Sequence, residues 1–95
     1  MTRSEILDTA KQMVCGHREQ DYGSPEDNFT EIAGLWEAYM RGKCCVGNVR
    51  ILPEDVAVMM CLFKIARIKT GTGTADSFVD LCGYAACGGE IATRE

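Results

Sequence analysis

The segment PEDVAVMMCLFKIARIK, residues 53–69, is apolar nearly all the way round a helix axis. Val56, Met59, Met60, Cys61, Leu62, Phe63, Ile65 and Ile68 leave no fully polar face, and a helix of this kind lies at the centre of a bundle or in an interface. Pro53 suits its first turn, and Glu54 and Asp55 sit at the positive end of its dipole. A chain of 95 residues buries only about 60–65% of its unfolded surface, so its own neighbours do not cover every side of such a cylinder. Self-association is therefore expected.

Three further helices are predicted around this one. Thr2 or Ser4 caps the first, in which Ile6, Leu7, Ala10, Met13 and Val14 fall at helical spacing until Gly16 stops the pattern. After the connecting run GHREQDYG, Ser24 is an N-cap, Pro25 takes the first helical position and Asp27 the third. That second helix runs from Pro25 to about Met40 with a broad apolar stripe of Phe29, Ile32, Ala33, Leu35, Trp36, Tyr39 and Met40. Asn28 falls inside the stripe, and Asp27 and Glu31 lie at its edge. RGKCCVGNVR reads as a loop. The third helix ends near Lys69 at GTGT, which lacks the lysine of a phosphate loop and follows a helix instead of a strand, so it is a helix stop. A fourth helix spans about Ala75 to Ala92, with Phe78, Val79, Cys82, Ala85, Ala86 and Gly89 on one stripe and Asp76, Asp80, Gly83 and Cys87 on another. No strand pattern or internal repeat is present. The expected architecture is an all-α four-helix bundle forming one domain over residues 1–95.

The formal charge of −4 and a sequence pI near 4.9 argue against a partner that is a nucleic-acid polymer, whose phosphates call for a basic surface. Free nucleotides remain compatible, because acidic side chains recruit a cation and the cation recruits phosphates. No apolar run approaches the ~18 residues that cross a bilayer, so no membrane partner is expected. The N-terminal MTRSEILDTAKQ has no secretory character, which places the chain in the cytoplasm with its six cysteines reduced. Cys15 with His17 and the adjacent Cys44 and Cys45 lack the spacing of a zinc site, while Cys61, Cys82 and Cys87 fall in apolar contexts as small hydrophobes.

Lys64 and Arg67 stand one turn apart on the otherwise apolar third helix. An unpaired buried cation costs several kcal/mol, so inward carboxylates are expected nearby, and Asp76 and Asp80 share one stripe of the next helix. Asp80 is a poor residue for a helix interior and needs another reason to be there; Asp76 is equally well explained as a first-turn acid, and either cation can snorkel to solvent. An amide at Asn28, buried at a helix entry, must be hydrogen-bonded to backbone or to a polar site. Together these residues would line one polar cavity, where bundles place ligand and metal sites.

DYGSPEDNFTEIAGLW, PEDVAVMMCLFKIARIKTG and DSFVDLCGYA resemble, in that order and over roughly the last three quarters of the chain, a family of small phage and prophage proteins related to MazG-like all-α nucleoside triphosphate pyrophosphatases. The resemblance implies a helical, dimeric or tetrameric protein of the host cytosol that hydrolyses a nucleoside triphosphate with Mg²⁺ held by carboxylates from an ExxE and an ExxD helix. Asp80 matches the aspartate of the second motif, with Tyr84 the aromatic after it; Asp76 stands four residues before Asp80 instead of three, and the first motif reads Asn28 to Glu31, an amide replacing one acid.

On the enzyme reading, Glu31, Asp76 and Asp80 hold Mg²⁺, Lys64 and Arg67 neutralise phosphoryl charge, and Tyr84 or Trp36 stacks on the base. By its register Trp36 reads as a core residue first, whereas Tyr84 suits either role. Two alternatives use the same residues: a nucleotide-binding protein that sequesters its ligand without turnover, favoured by the missing acids, and a structural phage protein in which Lys64, Arg67 and Asp80 form a salt-bridge network.

Overall fold

The computed structural model describes residues 1–16, 23–44, 48–71 and 73–94. Among them the chain is all-α: α1 (Arg3–Cys15), α2 (Pro25–Cys44), α3 (Pro53–Lys69) and α4 (Thr74–Thr93), with no strand. The expected connection over residues 17–22, which includes His17, lies outside the described residues, as do Cys45 in the second loop and Thr72 in the GTGT stop. No helix among the described residues is long and apolar enough to cross a membrane.

Each helix starts where local chemistry directs it. Thr2 Oγ1 accepts from the Glu5 N–H at 3.1 Å, and Ser24 Oγ accepts from the Asp27 N–H at 3.2 Å, so both hydroxyls satisfy donors that a helix N-terminus leaves open. At α3, Leu52 has no side-chain acceptor, but Asp55 Oδ2 accepts from the Leu52 N–H at 2.8 Å, which supplies the reciprocal half of a capping box. α3 stops at Gly71, whose φ of +78° suits glycine alone at low cost and whose N–H donates to the Ile68 carbonyl at 3.0 Å.

α2 runs a turn beyond the expected end. Its last turn carries Arg41 and Lys43, favourable on the negative pole of the dipole, and Arg41 donates to the Val49 carbonyl from Nη2 at 2.9 Å and Nε at 3.2 Å. Glu37 accepts from the Ile51 N–H at 2.9 Å, so the end of α2 is tied to the segment that leads into α3.

The core is formed by Phe29 and Ala33 of α2, Val56 and Ala57 of α3 and Cys87 of α4, with Trp36, Met60, Tyr84 and Ile91 packed around it. α3 and α4 make the most extensive helix pair, α1 lies on α4, and α2 lies on α3. The contact between α3 and α4 is close because Gly88 has no side chain: a Cβ there would stand 2.6 Å from Ala57 Cβ.

The burial of α4 departs from the expected apolar stripe. Phe78, Ala85, Ala86 and Gly89 are exposed, whereas Ser77, Val79, Gly83, Cys87 and Gly88 are buried and Asp80 is half-buried among them. The small residues decide the outcome. Gly88 admits Ala57, and a Cβ at Gly83 would lie 3.1 Å from Val14 Cγ1, so one glycine allows the close approach of α3 and the other that of α1. α3 in turn buries Val56 and Ala57 but leaves Val58, Met59, Leu62, Phe63 and Ile65 between 39% and 59% exposed. Leu35 and Tyr39 of the expected α2 stripe also face outward.

Candidate functional site

A cavity of about 440 Å³ lies between the helices. Its polar lining comes from three of them: Asn28 and Glu31 of α2, Lys64 of α3, and Asp80 and Tyr84 of α4. Phe29, Ile32, Val79 and Cys87 form its apolar wall, and α1 closes one side with Met13 and Val14. Its volume falls within the range of small-molecule sites, which combine an apolar lining with a few polar groups.

The central contact is an ion pair. Lys64 Nζ lies 2.9 Å from Asp80 Oδ2, with the two side chains 15% and 25% exposed. Asp80 reaches it from mid-helix because the small residues of α4 face inward, and Lys64 points toward α4 instead of snorkelling to the surface. A pair this sheltered is screened less than a surface pair but retains some water contact. Asn28 combines two tasks: its Nδ2 donates to the Gly23 carbonyl at 3.5 Å, fixing the entry to α2, and the same side chain lines the cavity. Glu31 follows one turn later at the exposed rim. Tyr84 lies beside Phe29, the ring centroids 6.2 Å apart and the planes inclined at 32°.

Three residues expected at the site lie elsewhere. Arg67, one turn beyond Lys64, is exposed with its Cζ 5.9 Å from the Phe63 ring centre and does not line the cavity. Asp76 is exposed in the first turn of α4, where the helix dipole accounts for it. Trp36 is half-buried and packs on the core cluster.

Sequence reasoning overlooked the α1 contribution of Met13 and Val14, and it read Phe29 and Cys87 only as helix-stripe residues. Their place in the cavity follows from how α1 seats on α4 and α2 on α3, for which no short motif exists. Cys61 lies outside the cavity; its Sγ is 3.8 Å from the Leu81 carbonyl as donor, and burial pushes its thiol pKa upward.

The carboxylates bear on whether Mg²⁺ fits. Among the described residues no three His, Cys, Asp or Glu side chains are grouped as metal ligands, and Asp76 does not join Glu31 and Asp80. Two carboxylates from different helices still line one cavity, and Mg²⁺ needs only one or two when substrate phosphates and water complete its shell. The set fits a single ion bound together with a phosphorylated ligand.

Comparison with known proteins gives phage relatives. The chain is 49% identical over 80 residues to the Gene 55 protein of Mycobacterium phage L5, covering 84% of this chain and 47% of that protein. It is 43% identical over 83 residues to the Gene 55 protein of Mycobacterium phage D29, covering 86% and 50%. The chain thus spans about half the length of the curated relatives it matches. No solved structure matches it. Residues 5–92 match the family described as a domain of unknown function, DUF6378, so that the chain belongs to the DUF6378 family and, by its relatives, to a family of small phage proteins.

Proposed function

We propose that this protein binds a nucleotide in the cavity and, with Mg²⁺, hydrolyses it as a MazG-like nucleoside triphosphate pyrophosphohydrolase working in the host cytosol as a self-associated bundle. The observation that carries the proposal is the convergence of Asn28, Glu31, Lys64, Asp80 and Tyr84, from three helices, on one cavity with an otherwise largely apolar lining.

The roles follow from chemistry and position. Lys64 is the cation for the phosphates; it exchanges part of its contact with Asp80 for phosphoryl oxygens and neutralises charge as it develops there. After that exchange the Asp80 carboxylate and Glu31 would hold Mg²⁺, which would supply Lewis-acid polarisation of the phosphoryl group and a more acidic water. Glu31, at the solvent-facing rim, accepts a proton from the attacking water, and Asn28 presents its polar side chain to the ligand from the cavity wall. Tyr84 and Phe29 give the base an aromatic and apolar seat.

One observation favours a second reading, retention without turnover. With Asp76 outside the cavity and Asp80 already paired to Lys64, only two carboxylates serve a metal. A nucleotide panel, incubated with the protein with and without Mg²⁺, separates the readings when pyrophosphate release and retained ligand are both measured. Magnesium-dependent release supports hydrolysis, and retention without release supports sequestration. Neither result with any nucleotide would leave the Lys64–Asp80 pair as a structural element and overturn the proposal.

A further inference from the structure

We propose that the outer face of α3 is the seat of a second copy of this chain, packed antiparallel along α3 about a two-fold axis near Leu62. The inference rests on the self-association in the reading above and is independent of its nucleotide chemistry.

The face is defined by spacing. Asp55, Val58, Leu62, Ile65 and Lys69 follow one another at alternating steps of three and four residues, the seam of a helix that pairs with another helix. Met59 and Ala66 flank the seam. Between its ends no charge interrupts it, because Lys64 turns inward to Asp80. Val58 and Leu62 are each 59% exposed and Ile65 49%, whereas the exposed side of a solvated helix is normally polar. A continuous apolar surface of this kind marks an interaction site.

The charges at its ends select the occupant. The first turn of α3 carries Glu54 and Asp55, and its last turn carries Arg67 and Lys69. A parallel second copy would bring like charges together at both ends; an antiparallel one brings each acidic start to the basic end of the other. The series is centred on Leu62, with Asp55 seven residues before it and Lys69 seven after. A two-fold axis at Leu62 therefore sets Asp55 of each copy toward Lys69 of the other. This is the self-complementarity that an isologous interface requires. Asp55 also accepts from the Leu52 N–H, and a carboxylate with about four acceptor sites has capacity for both partners.

Sedimentation equilibrium and disulfide capture test the proposal. The wild-type chain is expected to be dimeric at about 100 µM, a range in which a modest interface is populated. Leu62→Glu should be monomeric with its helical circular dichroism unchanged, and Lys69→Glu should weaken the dimer about tenfold by opposing two acids at both ends. Leu62→Cys supplies a second arm that does not depend on the folding of Leu62→Glu: next to the axis, mild oxidation should link two copies through residue 62 itself, mapped by peptide analysis. Monomeric wild-type chain at that concentration overturns the proposal, the face being left for additional chain such as the longer relatives carry. A dimer that survives Leu62→Glu, or whose Leu62→Cys form is not linked through residue 62, overturns it too. Nucleotide retention on the same samples keeps the two readings apart: a dimer mapped to Leu62 that retains no nucleotide supports the interface and removes the nucleotide reading.

Discussion

The two faces of α3 are both apolar, yet only one is buried by the chain itself. The inner face carries Val56 and Ala57, buried against small residues of α4, and it presents Lys64 to Asp80. The outer face carries Val58, Leu62 and Ile65 and remains exposed. Hydrophobicity alone does not choose between the two faces. Closeness of approach does, since dispersion and exclusion of water both depend on the contact that Gly88 of α4 permits with Ala57. The inner face thereby acquires a partly sheltered ion pair and the cavity beside it, and the outer face is left exposed.

Breaking the close approach should have the largest effect. Gly88→Ala places a Cβ where Ala57 Cβ already stands, and neither is the end of a flexible side chain, so α3 and α4 must separate. Overpacking of this kind costs about 1–3 kcal/mol, outweighing the few tenths to 1 kcal/mol that alanine gains over glycine in a helix. Denaturant unfolding measures the difference. Stability equal to or above that of the wild-type would mean that the contact is slack.

Removing the cation tests the polar part of the inner face. Lys64→Met keeps the stem's bulk but leaves the Asp80 carboxylate half-buried without its partner, and a loss of about 1–2 kcal/mol is expected, between exposed and fully buried pairs. The same unfolding experiment at about 1 M salt should shrink the loss only partly, because a sheltered pair is incompletely screened.

The smallest effect concerns reactivity. Cys15 is exposed at the end of α1, whereas burial raises the pKa of Cys61 between α3 and α4. The thiolate is the nucleophile, so Cys61 should alkylate more slowly than exposed Cys15 at neutral pH, and its rate should keep rising to a pH above the range of an ordinary thiol. Mass-spectrometric timing of iodoacetamide labelling at several pH values checks this; equal rates would place Cys61 in an open environment.

Much of the fold was legible because helix starts are local. Thr2, Ser24, Pro25 and Pro53 act within one turn of their own positions, and Gly71 stops α3 by its own backbone freedom. Part of the site was legible for a different reason: Asn28, Lys64 and Asp80 are polar where the helical pattern is apolar, and such residues need partners. Depth and rotation were not legible. Spacing placed Arg67 one turn from Lys64, and both cations lie near the Phe63 ring, but only Lys64 reaches the cavity. Counting apolar residues on α4 did not decide between its two stripes, since the advantage of Gly83 and Gly88 exists only once α1 and α3 are in contact with them.

The central claim is that residues from three helices form one nucleotide site, and Asp80→Asn tests it most directly. The amide keeps the shape of the side chain and an acceptor for Lys64 while removing the charge that holds a cation. Nucleotide retention and magnesium-dependent pyrophosphate release should be measured alongside thermal unfolding, for the wild-type and the variant. The account predicts that one or both nucleotide signals are present in the wild-type and fall at least about a hundredfold in the variant, with only a modest loss of stability. Undiminished nucleotide handling in a well-folded Asp80→Asn protein, or a variant whose only change is a large loss of stability from a wild-type that never engages nucleotide, would contradict it.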